Sequence, residues 1–204
     1  MPKLKLQQEV LDLLESMDLL PFNSAQIKIT SAYKSGQNHW LQLNRLEDSR
    51  PAIVASAIHT LKSSYEDVAR CLILVPNSEI ADYYYLNLFN LLGKHTDLRV
   101  WTAYQGPKIL DQKENIYFGA DVVIATPKRL NELLNIEGFN SAAVQTLILD
   151  SADQLLKVGA ISFTQRISDS IPKKQRISIS VKGGKGVGAY MDRFAYPFTL
   201  ATLE

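Results

Sequence analysis

Leu147-Ile148-Leu149-Asp150-Ser151-Ala152-Asp153 is the stretch on which the fold turns. Three apolar residues run without alternation into an acid, and a short polar turn leads on to Gln154-Leu155-Leu156. An unbroken apolar run bounded by turn residues predicts a strand buried on both faces, as in a parallel sheet covered by helices. In open α/β sheets ligands gather at the carboxyl ends of the strands. An acid placed there offers hard oxygen to a nucleotide-bound Mg²⁺. The same carboxylates also serve as plain caps, Asp150 of strand-end N–H groups and Asp153 of the next helix start.

Outward from this stretch the pattern repeats. Apolar runs recur at 71–75, 98–103, 122–125 and 177–181, and helix-like stretches at 78–92, 129–134 and 162–170 separate them. Upstream, residues 4–17 carry apolar side chains at helical spacing, and 22–35 read as a second helix stopped by Gly36. An apolar run at 40–43 follows, then a polar break, and Pro51 as first helical residue of a helix over 52–61. Strand and helix alternating at this rhythm predict an α/β doubly wound parallel sheet of about seven strands, with helices on both faces. The chain reads as one domain, 1–204, with a helical lead-in over 1–36. Gly183, Gly184, Gly186 and Gly188 mark 182–190 as a flexible Gly/Lys loop.

Composition narrows the function classes. Twenty-two Lys+Arg face 21 Asp+Glu, a formal charge of +1, and 46% of residues are apolar. This is not a disordered chain, nor one that binds polyanions over its whole surface, so any nucleic-acid contact is a local patch. The single cysteine, Cys71, excludes a disulfide framework or thiolate metal cluster and suits a reducing compartment. No apolar stretch approaches the roughly 20 residues of a membrane span. A soluble, cytoplasmic protein without membrane contact is expected.

The residues that close each run, taken in order, resemble the first RecA-like domain of the DEAD-box RNA helicases over nearly the whole chain. Pro76-Asn77-Ser78-Glu79-Ile80-Ala81 is similar to that family's Pro-Thr-Arg-Glu-Leu-Ala, and Thr126-Pro127-Lys128-Arg129-Leu130 to its Thr-Pro-Gly-Arg-Leu. Asp150 to Asp153 resembles Asp-Glu-Ala-Asp, and Ser178-Ile179-Ser180 resembles Ser-Ala-Thr. Gln26 stands where the family has its adenine-reading Gln, and Gly36-Gln37-Asn38 where the strand into the phosphate loop begins.

The departures bear on activity. The phosphate loop falls on Leu43-Asn44-Arg45-Leu46-Glu47-Asp48-Ser49-Arg50, which has no glycine to bring backbone N–H groups around a phosphate. Ser49 stands in for the Lys and Arg50 for the hydroxyl residue, while Glu47 and Asp48 add negative charge. Arg45 or Arg50 offsets part of that charge. Ser151 replaces the Glu that in the family helps activate the attacking water, and Ile179-Ser180 replaces the Ala-Thr said to couple hydrolysis to unwinding. The 204 residues stop near the end of a first domain, whereas the family hydrolyses ATP between two such domains, the second supplying arginine fingers. The expectation is no catalytic residues, no metal, no cofactor, and neither ATPase nor helicase activity. Gln26, Arg45, Ser49, Arg50, Asp150, Asp153, Ser178 and Ser180 remain as residual nucleotide-site positions.

The resemblance implies an RNA-facing set as well: Asn77, Ser78, Glu79, Gly106, Thr126, Pro127, Lys128 and Arg129. RNA is therefore the expected partner, held by its phosphates, and the reading is a non-catalytic RNA-binding or RNA-associated accessory protein. Residues 171–204 carry six basic and two acidic side chains, net +4, and could extend that surface. Two further readings stay open. One is a protein-interaction module that docks a partner through the helix of Tyr83, Tyr84 and Tyr85 or through the basic C-terminal segment. The other is a protein that still binds a nucleotide.

Overall fold

The computed structural model describes residues 6–181 and 185–203. Seven strands form one all-parallel sheet. They are β1 (Asn38–Leu43), β2 (Cys71–Leu74), β3 (Val100–Ala103), β4 (Val122–Ala125), β5 (Thr146–Asp150), β6 (Gln175–Val181) and β7 (Phe198–Thr202), in the spatial order β3-β4-β2-β5-β6-β1-β7.

Side chains alternate between the two faces of the sheet, so each apolar run feeds two cores at once. Ile73, Ile124, Ile148 and Ile177 point to one layer. There they meet α1 (Gln8–Ser16), α2 (Ser24–Ser35), α3 (Arg50–Leu61) and a helix that begins as α4 (Ser78–Asp82). That helix widens into a π-helical stretch, Tyr83–Phe89, and ends as α5 (Asn90–Leu92). Leu72, Leu74, Val123, Leu147 and Leu149 point the other way, towards α6 (Ile109–Tyr117), α7 (Pro127–Asn135), α8 (Ala152–Leu155), α9 (Ile161–Ser170) and α10 (Lys185–Phe194). The central strands β2, β4 and β5 are buried at every residue, and the edge strands β3 and β7 are not. The doubly wound α/β architecture expected from the continuous runs is the one observed.

The helix signals act as the sequence implies. Asn23 and Gln26 form a reciprocal capping box at the start of α2, and Gly36, at φ +69°, ends it. Pro51 occupies the first turn of α3.

The loop expected over 182–190 is corrected in part. Residues 182–184 lie outside the described residues, and the remainder is the first part of α10. Val187, Tyr190 and Met191 put a buried stripe on the sheet at helical spacing. The helix lies close enough that a Cβ on Gly188 would touch the Trp40 ring at 3.5 Å. Among the described residues no helix is long and apolar enough to cross a membrane. No group of three His, Cys, Asp or Glu side chains stands ready for a metal among them either.

Opposite the carboxyl ends of the strands, one buried acid ties three strand starts together. Asp121, fully buried, accepts from Arg70 Nη2 at 2.7 Å, Arg99 Nε at 3.1 Å and the backbone N–H of Tyr65 and Arg99. It precedes β4, Arg70 precedes β2 and Arg99 precedes β3.

Candidate functional site

Strand β1 runs out at Leu43, a single 3₁₀ turn covers Glu47–Ser49, and α3 starts at Arg50. The strand–loop–helix path of a phosphate loop is thus kept, while its chemistry differs. Ser49 is fully buried and its hydroxyl bonds the carbonyl of Leu46. Arg45 leans on Glu47 (3.3 Å) and Asp48 (3.8 Å) at the exposed surface, a contact worth little in water. Gln26 is spent locally. Its Oε1 accepts the Asn23 N–H, and its Nε2 donates 3.0 Å to the carbonyl of Asp48. That bond holds the loop against α2.

The decisive contact spans the sheet end. Arg50 Nε donates to Asp150 Oδ2 at 2.9 Å, with the carboxylate fully buried and the guanidinium side chain 13% exposed. The arginine at the hydroxyl position of the loop therefore reaches the acid at the end of β5. Tyr83 lays its ring 5.7 Å from the guanidinium carbon. Tyr84 is buried beside the pair and its hydroxyl satisfies no hydrogen bond of good geometry. Burial pushes the Asp150 carboxyl above its ordinary range, and Arg50 pulls it back. The same carboxylate raises the Arg50 guanidinium against its own burial. Ser151 donates to the other oxygen, Asp150 Oδ1, at 3.2 Å, so both carboxylate oxygens are engaged.

The remaining nucleotide-site positions do not join this cluster. Asp153 accepts, at 3.4 Å, from the Val181 N–H at the end of β6. Ser180 accepts from Trp40 Nε1 at 2.9 Å, and the Ser178 hydroxyl is buried without a partner. Both serines sit inside the sheet layer. Of the eight residual positions, Arg50 and Asp150 are the two brought into contact across the loop and the strand end among the described residues.

The segments that the resemblance assigns to RNA converge on a second place. The turns that leave β2, β3 and β4 line a cleft of about 390 Å³ with Asn77, Ser78, Tyr104, Thr126, Pro127 and Lys128, and Phe163 of α9 closes one wall. Asn77 caps α4 by accepting from the Ile80 N–H, and Thr126 donates to Gln105 Oε1 at 3.1 Å. Lys128 is exposed and, among the described residues, is the one charged side chain lining the cleft. Gly106, which follows the cleft-lining Gln105 in the chain, holds φ +125° with open space where a Cβ would stand, so backbone conformation makes the demand for glycine. Glu79 is exposed and stands apart from the cleft lining.

Arg129 departs from its expected place. It is buried, donates from Nη1 to the Pro107 carbonyl and Gln112 Oε1 (3.1 Å each), and lies 3.0 Å from Glu132. It braces the cleft from behind and presents no charge in it. Among its described residues the basic C-terminal segment does not line the cleft either. Lys173 and Lys174 precede β6, at the opposite end of the sheet, while Arg176 is buried and bonds the carbonyls of Ser168 and Ile171. The tyrosine face is reduced because Tyr84 points inward. Tyr104, Gln105 and Phe163 lie in the cleft, and sequence reasoning assigned them no role. For the first two, the signal was their position just past a strand end.

Residues 51–181 match the DEAD/DEAH box helicase family. A DEAD-box ATP-dependent RNA helicase of Helicobacter pylori is 28% identical over 152 residues, covering 74% of this chain and 30% of the relative. A putative DEAD-box ATP-dependent RNA helicase of Arabidopsis thaliana is 40% identical over 91 residues, covering 44% of this chain and 11% of the relative. A solved DEAD box protein from Methanococcus jannaschii superposes with a TM-score of 0.90 at 19% identity, covering 98% of this chain and 55% of that one. The chain thus spans less than a third of these curated relatives and about half of the solved structure. It belongs to the DEAD/DEAH box helicase family.

Proposed function

We propose that this chain is a helicase-derived domain that holds RNA by its sugar-phosphate backbone and neither hydrolyses ATP nor unwinds a duplex. One observation carries the reading: the two halves of the ligand-binding end have parted. The nucleotide half is closed by the Arg50–Asp150 ion pair, and the RNA half remains an open cleft.

Mg²⁺ and ATP do not fit the residues present. The acid that would take the metal already faces a guanidinium and a serine hydroxyl. The loop offers no glycine cradle, and Glu47 and Asp48 repel a triphosphate. Ser151 carries no carboxylate to orient an attacking water. No step of this proposal runs through a nucleotide.

In the cleft Lys128 supplies charge to one phosphate, Asn77, Ser78 and Thr126 supply hydrogen bonds, and Tyr104 and Phe163 supply flat apolar walls. Such contacts position a backbone without reading bases. One lysine neutralising one phosphate sets a shallow salt slope, log K falling by about 0.7 per decade of salt for a single strand.

The test is fluorescence anisotropy of a labelled single-stranded RNA at two salt concentrations, with and without Mg-ATP, beside Lys128→Ala. Binding that weakens with salt, ignores ATP and falls in the variant supports the proposal. RNA-stimulated ATP hydrolysis, or RNA binding that requires Mg-ATP, would overturn the non-catalytic half. Absence of binding at low salt would overturn the RNA half.

A further inference from the structure

At the opposite end of the sheet, where β1, β5 and β6 begin, the surface opens into a second cleft of about 600 Å³. Among the described residues its rim carries Lys34, Lys62, Lys173 and Lys174 and no carboxylate. The whole chain has a formal charge of +1, so four lysines around one depression are a strong local excess. Lys62, Lys173 and Lys174 form no ion pair among the described residues. Clefts lined by one sign of charge focus the field and concentrate counter-ions.

Helices α2 and α3 both end here, and lysines often serve to neutralise such carbonyl ends. At this site part of that role is taken by other groups. Gln175 Nε2 donates to the carbonyls of Ala32 and Tyr33 at 2.9 and 3.0 Å, and Ser35 also bonds Ala32. The Ile58 carbonyl takes the Lys62 N–H, and the Leu61 carbonyl takes the Ser63 N–H. The Lys62, Lys173 and Lys174 ammonium groups are engaged in no hydrogen bond or ion pair of these helix ends among the described residues.

We propose that this cleft binds a small anion carrying two or more phosphate groups. Lysines are point-charge phosphate binders, and the volume lies in the roughly 300–1,000 Å³ range of small-ligand sites. His59 lines the cleft with a buried Nδ1 that lacks a hydrogen-bond partner. Burial lowers the His59 imidazole below its ordinary value, and Lys34 and Lys62 lower it further. The proposal is independent of the RNA cleft, which lies at the other end of the strands.

Isothermal titration calorimetry with inorganic pyrophosphate and, separately, with Mg-free ADP distinguishes a free polyphosphate from a nucleotide as the source. We expect saturable one-to-one binding of pyrophosphate at low salt. It should weaken by about tenfold or more in Lys62→Gln/Lys173→Gln/Lys174→Gln, equivalent to about 1.4 kcal/mol or more, and stay unchanged in Lys94→Gln. All these lysines are exposed, so the variants should melt at the parent temperature. The His59 ring signals in NMR should move on pyrophosphate addition in the parent and stay still in the triple variant. No binding, or binding that the triple variant leaves intact, would overturn the proposal. RNA anisotropy that the triple variant leaves unchanged would keep the two sites separate; RNA binding lost there, with none of pyrophosphate, would overturn the small-anion assignment.

Discussion

Truncating Arg50 to alanine removes the only cation paired with Asp150 among the described residues and leaves the carboxylate fully buried. Breaking a buried ion pair from one side costs about 3–5 kcal/mol, chiefly the penalty of the uncompensated charge. For a domain of this length that lowers Tm by roughly 6–20 °C. With a urea m-value of about 2 kcal/mol/M, it moves the unfolding midpoint down by about 2 M. The sign with pH follows from burial. Asp150 is already raised above its unfolded value with Arg50 present, and losing Arg50 raises it further. A carboxyl with a raised folded value binds more protons folded than unfolded, so its stability contribution is full at acid pH and falls as pH climbs past the unfolded value. The variant should therefore lose more stability at pH 8 than at pH 5. Asp150→Asn added to Arg50→Ala removes the stranded charge and should recover much of the loss. Urea unfolding followed by the fluorescence of Trp40 and Trp101 reads all of this. A loss under about 1 kcal/mol, or no recovery in the double variant, would refute the view that the guanidinium is the internal counter-ion of this acid.

Other consequences are simpler to state. Arg129→Ala should cost roughly 1.5–3 kcal/mol in urea unfolding, because it strips charged hydrogen bonds from Pro107 and Gln112. RNA affinity of the folded variant should stay within about twofold of the parent, since one side-chain hydrogen bond is worth more than that. Asp121→Ala should be the harshest single change at the far end of the sheet, about 3–5 kcal/mol, because two arginines lose their shared partner; thermal melting checks it. Gly188→Ala should stabilise by up to about 1 kcal/mol, since a Cβ there meets Trp40 at ordinary contact distance within a helix. A drop in Tm would mean that α10 cannot tolerate the added methyl against β1.

Much of the fold was legible because a doubly covered parallel sheet writes itself as continuous apolar runs. The runs at 71–75, 122–125 and 147–149 became the three strands buried at every residue. What escaped was the part of the fold that needs no such run. Strand β7 is an edge with exposed Thr199 and Leu200, so its sequence mixes polar and apolar residues. Helix α10 hid behind Gly186 and Gly188, which read as punctuation until the nearness of Trp40 and Leu156 is seen. Helix α6 buries only Gln112 and Ile116, too thin a stripe to register as periodicity.

The site was legible as a set of positions and illegible as a set of directions. Strand ends alone place residues 76–78, 104–106 and 126–128 together, because parallel strands deliver all their C-terminal turns to one edge. Nothing in Thr126-Pro127-Lys128-Arg129 says that one of two adjacent cations faces solvent and the other the protein interior. That choice rests on Gln112 of α6 and the Pro107 carbonyl, which only the assembled fold brings near. The same limit applies with more force to Arg50. Read along the chain, it is a substitution that removes a metal-holding hydroxyl; read in space, it adds a cation one hundred residues away from the acid it meets. The loop change and the retained acid are therefore one coupled feature. A bare acid without Arg50 would be a buried, unpaired charge, and a glycine loop with Arg50 would still present an occupied acid. On the proposed reading, Mg-ATP binding at this end requires changing both partners together, so single changes such as Arg50→Thr or Ser151→Glu should each fail to produce an Mg-ATP thermal shift.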